Sequence, residues 1–194
     1  LMDRTIADWH AEALDATRTF VHGITPDQWA RPTPCAGWDV RTLLNHLVTG
    51  NWWAVELGSG RTIDDVGDRL DGDMLGDDPA AAYDESVPPA KAIFLAPGAL
   101  DAPCAVSYGP VPGSVYAGHR FIDVVVHGWD LAAATGQDAT LDPRLVDVCF
   151  EVIEPQAEML LGSGAFGTRA EPAPGDDAQA RLLRLLGRQP TVNS

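Results

Sequence analysis

The segment Phe121–Asp130, FIDVVVHGWD, limits the fold more than any other. It is the most apolar part of a helical pattern that opens at Ser114 and stops at Gly136, yet it carries Asp123 and His127 one turn apart. Residues spaced i and i+4 share a helix face. A helix this apolar has to be buried by neighbours, and buried polar groups then need partners, because an unpaired buried charge is costly. Two solutions satisfy the pair: an Asp–His hydrogen bond, or a divalent ion completed by a ligand from another helix. The spacing by itself leaves both open.

The rest of the chain supplies the neighbours. From Asp3 to Gly23 apolar residues recur at helical spacing through Ile6, Trp9, Ala13, Thr17, Phe20 and Ile24. A Pro-rich loop follows, with Trp29 and Trp38 expected to anchor it on the core. Asp39 caps a second helix whose stripe runs through Val40, Leu43, Leu44, Leu47 and Val48. The Gly- and Asp-dense stretch 58–78 reads as an exposed loop. A third helix is predicted from Pro79 to Leu95, kinked or split by Pro88 and Pro89. Turn residues between Leu100 and Gly113 suggest a short strand or hairpin. Asp142 and Pro143 open a further helix, interrupted near Pro155, and a last short helix follows a Gly/Pro-rich linker. There is no internal repeat. Four or five helices with little strand make an all-α bundle.

Composition removes several function classes. The chain has 194 residues, the size of one domain, with 28 Asp and Glu against 13 Lys and Arg, a formal charge of −15. Such a surface repels nucleic-acid phosphates and anionic membranes. No apolar run approaches the roughly 18 residues of a membrane span, and the first twenty residues lack a signal-peptide apolar region. Cys35, Cys104 and Cys149 are odd in number and form no C-x-x-C pair, which argues against a disulfide framework and for the cytoplasm.

A third ligand is available in the second helix. His46 borders the apolar stripe, three after Leu43 and one before Leu47. Two imidazoles and a carboxylate suit zinc with open coordination positions, and suit non-haem iron as well. His10 reads as a packed core residue, His22 as solvated, and His119 as a surface residue or a support to Asp123. Trp38 and Trp129 read as core or pocket wall, Cys35 as a small buried hydrophobe or a thiol beside the site. Asp130 could hydrogen-bond a ligand histidine. Arg41 and Arg120 are candidates to hold an anionic substrate, against the alternative of plain solvation.

Three segments, TPCAGWDVRTLLNHLV, YGPVPGSVYAGHRFIDVVVHGWDLAAATGQ and LDPRLVD, resemble DinB-like proteins of the mycothiol-dependent maleylpyruvate isomerase type, over roughly residues 5–160. The resemblance implies a four-helix bundle over residues 1–170, with residues 171–194 forming a short extra C-terminal helix and tail of the same domain. It implies a divalent metal, zinc first and nickel, manganese or iron after it, held by His46, Asp123 and His127. It also implies mycothiol as a cosubstrate. Two departures stand out: the isomerase has glutamate where this chain has Asp123, and it carries a C-terminal domain for which about 30 residues after the bundle leave too little room. Maleylpyruvate isomerisation itself is therefore not expected.

The expected activity is a metal-dependent attack by a small thiol, held as thiolate, on an electrophilic small molecule. A hydrolase using metal-bound hydroxide is one alternative, and a non-enzymatic metal- or small-ligand-binding protein is another. No catalytic acid or base is assigned by the sequence. Small molecules are the expected partners, with a homodimer left open.

Overall fold

Thr5 starts the first helix, α1 (Ile6–His22), through a capping box: its hydroxyl accepts from the Asp8 N–H while the Asp8 carboxylate accepts from the Thr5 N–H. The computed structural model describes residues 4–162, 164 and 168–190, and divides the chain into two compact units, 1–137 and 138–194.

In the first unit, α1 buries Ala7, Trp9, His10, Ala13, Leu14, Thr17 and Val21, whereas Phe20 and Ile24 of the expected stripe are only half-buried. The stripe is rotated because α1 packs against two helices at once, α4 and α5. Helix α2 (Val40–Gly58) is capped as expected by Asp39, which accepts from the Thr42 N–H at 2.8 Å. The Gly/Asp stretch is not wholly an exposed loop. It contains a single capped turn, α3 (Ile63–Val66), and buries Val66 and Leu75.

Of the two outcomes expected at Pro88 and Pro89, a kink or a split, the split does not occur. Helix α4 (Pro79–Leu95) is continuous through Pro88 and Pro89. Proline removes the donor to the carbonyl four residues earlier, here Asp84 and Glu85. Pro88 and Glu85 are exposed and Asp84 half-exposed, so water can serve that side while Tyr83, Ser86, Val87, Ala90 and Phe94 keep the opposite face buried. Strands β1 (Pro103–Val106) and β2 (Gly109–Pro112) form the predicted antiparallel hairpin. Helix α5 (Gly113–Thr135) follows and ends at Gly136 in the left-handed conformation, φ 69°.

The four long helices form a ring in which α5 and α4 each lie between α1 and α2. Gly128 lets α1 approach α5 closely: a Cβ there would meet Thr17 Oγ1 at 2.5 Å, and that hydroxyl donates to the Val124 carbonyl at 3.2 Å. The result is the all-α bundle that the resemblance implied, with His46 and Asp123 on adjacent helices.

In the second unit, α6 (Pro143–Ile153) is capped by Asp142, and a 3₁₀ turn at Glu154–Gln156 carries the break at Pro155 before α7 (Ala157–Gly162). Helix α8 (Ala178–Leu185) packs on α6, burying Leu182 and Leu183 within this unit. No helix among the described residues is long and apolar enough to cross a membrane.

Candidate metal centre

Helix periodicity brings Asp123 and His127 to one face of α5, and the pairing of α5 with α2 brings His46 to them. His46 Nε2 lies 3.2 Å from each Asp123 oxygen, and His127 Nε2 lies 3.2 Å from Asp123 Oδ1. The possible ligand atoms of the three residues all fall within 4.8 Å of one another. The imidazoles meet edge to face with centroids 4.9 Å apart. The His46 side chain is 36% exposed, against 7% for His127, so the cluster is reachable from solvent on the His46 side.

His127 is held from behind. Asp130, one turn beyond His127 on α5 and fully buried, lies 2.9 Å from His127 Nδ1. A carboxylate there accepts a hydrogen bond from Nδ1–H, which leaves the Nε2 lone pair of a neutral ring directed at Asp123 and His46. Cys35 comes from the Pro-rich loop and is half-buried rather than a core hydrophobe. Its thiol donates to Asp130 Oδ2 at 3.3 Å and sits 3.7 Å from His127 Nδ1. Trp38, from the same loop, tilts over both imidazoles at 5.0 Å from His46 and 6.1 Å from His127, as a wall of the site.

Cys35, His127 and Asp130 form a second group with metal-ligand spacing. It shares His127 with the first group but through Nδ1, which already donates to Asp130. Using it would require breaking that bond. The His46 group uses Nε2 and keeps Asp130 as a support, so it fits a divalent ion better.

The electrostatics agree with a cation at this point. Burial alone would depress the His127 imidazole, but Asp123, together with hydrogen bonds to Asp130 and Cys35, holds it well above the usual histidine range. Burial likewise works against the Asp123 carboxylate, and His127, His46 and Arg120 overcome it, holding the group well below the usual carboxylate range. The carboxylate that favours a proton on His127 would equally favour a cation among the three ligand candidates.

Arg120, a candidate from the sequence to hold an anionic substrate, instead pairs with the ligand candidate Asp123. Its guanidinium is buried and donates to Asp123 Oδ2 at 2.6 Å. The i, i+3 spacing of Arg120 and Asp123 was the available signal. Arg41, the other arginine considered, is an exposed partner of Asp73 and the Gly76 carbonyl. His10 is a core residue and Trp129 is buried. His22 is exposed and pairs with Asp84, and His119 bonds Tyr108 away from the cluster.

A family model described as mycothiol maleylpyruvate isomerase N-terminal domain matches residues 10–132, a span that contains His46, Asp123 and His127. Uncharacterised proteins from two strains of Mycobacterium tuberculosis are each 36% identical to the chain over 188 residues, covering 92% of it and 95% of their own length. No solved structure matches it.

Proposed function

The chain belongs to the mycothiol maleylpyruvate isomerase N-terminal domain family, and on that premise we propose that it is a divalent-metal enzyme, with zinc the preferred ion, using a small thiol of the mycothiol kind against an electrophilic small molecule. The observation that carries this reading is the convergence of His46, Asp123 and His127 beside a solvent-reachable opening. The donor set fits a catalytic rather than a closed structural site, because three protein ligands leave positions for an exogenous one. When bound, zinc would supply Lewis acidity, lowering the pKa of a thiol so that it is held as thiolate at neutral pH.

The residues of the chain do the rest. His46, Asp123 and His127 hold the ion; Asp130 keeps the His127 Nε2 lone pair facing it. Trp38 closes one side against water. Asp123, Asp130 and Arg120 together with a divalent ion leave one positive charge, which a thiolate neutralises even in a chain of net charge −15. Cys35, Cys104 and Cys149 form no disulfide with one another, which suits a reducing cytoplasm.

The test is elemental analysis of protein purified without chelators, followed by calorimetry with mycothiol in two buffers of different ionisation enthalpy. Close to one ion per chain and a thiol-binding heat that reports proton release are expected. A wild type that retains no zinc, nickel, manganese or iron after reloading removes the metal site. An ion with no response to millimolar mycothiol removes the thiol and leaves hydrolysis or ligand binding.

A further inference from the structure

Arg120 is 7% exposed, in a protein with thirteen Lys and Arg residues of which most face water. Besides the 2.6 Å bond from Nη1 to Asp123 Oδ2, its Nη2 donates to Asn51 Oδ1 at 3.3 Å. Asn51 is itself fully buried; its Nδ2 donates to Ser86 Oγ at 2.9 Å, and the Ser86 hydroxyl donates to the Tyr83 carbonyl at 2.8 Å. This chain of bonds crosses from α5 through α2 to α4. Arg120 Nε has no acceptor among the described residues, so the two Nη bonds set the pose of the guanidinium. Gly50 makes room for it, since a Cβ there would collide with the guanidinium. An incompletely paired buried cation is costly, and a core built for stability alone is better served by an apolar side chain.

We propose that Arg120 is a positioning residue for the metal ligand Asp123: it occupies Oδ2 and leaves Oδ1 as the carboxylate's single ligand atom. The inference rests on the metal reading of the site. His46 Nε2 is equidistant from the two oxygens, so His46 does not choose between them. The short charge-assisted bond to Oδ2 does choose. Asn51, Ser86 and the gap at Gly50 hold the guanidinium so that the choice is made before an ion arrives. One-oxygen ligation keeps the coordination number low and leaves positions for an incoming ligand.

Cobalt(II) substitution reads this directly, because cobalt's visible bands weaken as its coordination number rises. Wild type, Arg120→Met, Arg120→Lys and Gly50→Ala are compared at one cobalt per chain, with melting curves of the metal-free proteins as the check on folding. Arg120→Met releases Oδ2 to the ion, so the bands should weaken and shift; Arg120→Lys, which keeps a cationic donor, should recover part of the intensity. Gly50→Ala keeps every charge but displaces the guanidinium, and should shift the bands the same way by less. It decides the matter if Arg120→Met does not fold. Wild-type spectra in the folded variants overturn the positioning role and leave the metal site standing. A wild type that binds no cobalt overturns the site, and this inference with it.

Discussion

His10 and His127 are both buried imidazoles, on α1 and α5, and they are set to opposite states. His10 is fully buried, neither ring nitrogen has a hydrogen-bond partner among the described residues, and its ring packs edge-on against Phe94 with centroids 5.2 Å apart. Burial, with the nearby charges of Arg120 and Lys91, pushes it down to about 3. His127 is almost as buried but has a carboxylate at each nitrogen, and stands well above the usual range. Burial switches an imidazole off; carboxylates supplied by its own helix switch it back on. The first histidine fills space, and the second is available for a cation.

The sharpest way to break that comparison is His127→Ala. It should abolish detectable metal retention by elemental analysis while the metal-free protein keeps its helical circular dichroism at a lower melting temperature, because the apolar faces that pack the bundle are unchanged but Asp123 and Asp130 lose their shared partner. The next effect is Asp123→Asn, which keeps size and removes charge. Zinc affinity in a chelator competition should fall by about a hundredfold, the upper end of what even outlying changes produce. Asp123→Glu should lose less. Equal affinity of Asn and Asp would show that the carboxylate is not a ligand.

The pH dependence of the metal-free protein separates the two histidines. The folded value of His10 lies below its unfolded value of 6.5, so the unfolded chain takes the proton first. Its stability contribution is present above pH 6.5 and is lost as pH falls toward about 3. The slope is at most about 1.4 kcal/mol per pH unit, or roughly 2 kcal/mol by pH 5. His127 has the opposite sign: its folded value is raised, so its contribution is complete below 6.5 and lost as pH rises through the folded value. Melting curves of His10→Phe should therefore flatten on the acid side, whereas an acid limb as steep as wild type would mean that His10 is not buried as a neutral ring. The smallest effect is Asp130→Asn, which still accepts from Nδ1 but removes the charge behind His127. Zinc affinity should fall by about tenfold, with the imidazole pKa, followed by NMR in the metal-free protein, moving down toward that of His10.

Local chemistry was read well from the chain. The Asp39 and Asp142 caps, the Gly136 stop, the interruption at Pro155 and the Asp123–His127 face all depend on residues within a turn of one another. The readings that failed or were left open depend on the environment across the bundle. Pro88 and Pro89 are compatible with an unbroken α4 because residues 84, 85 and 88 lie toward water, and no local pattern states which side of a helix faces water when two partners compete for it. Arg120 reads from the sequence as a substrate clamp or a solvated charge, because an arginine on an acidic protein gives no sign of being buried. Of the two sequence readings of Cys35, the thiol beside the site is the one that holds, although a loop without periodicity could not select it.

The sequence alone determined that this chain makes capped apolar helices and that one of them carries an acid and a histidine on its buried face, because 3.6-residue periodicity and capping are properties of neighbouring residues. Tertiary structure decided that His46 faces that pair from α2, that Asp130 holds His127 Nδ1, that Arg120 takes one oxygen of Asp123, and that His10 has no hydrogen-bond partner among the described residues. Those are matters of which helix lies beside which, and the free energy that settles them is the burial of whole faces, within which each polar group takes the partner that packing leaves in reach.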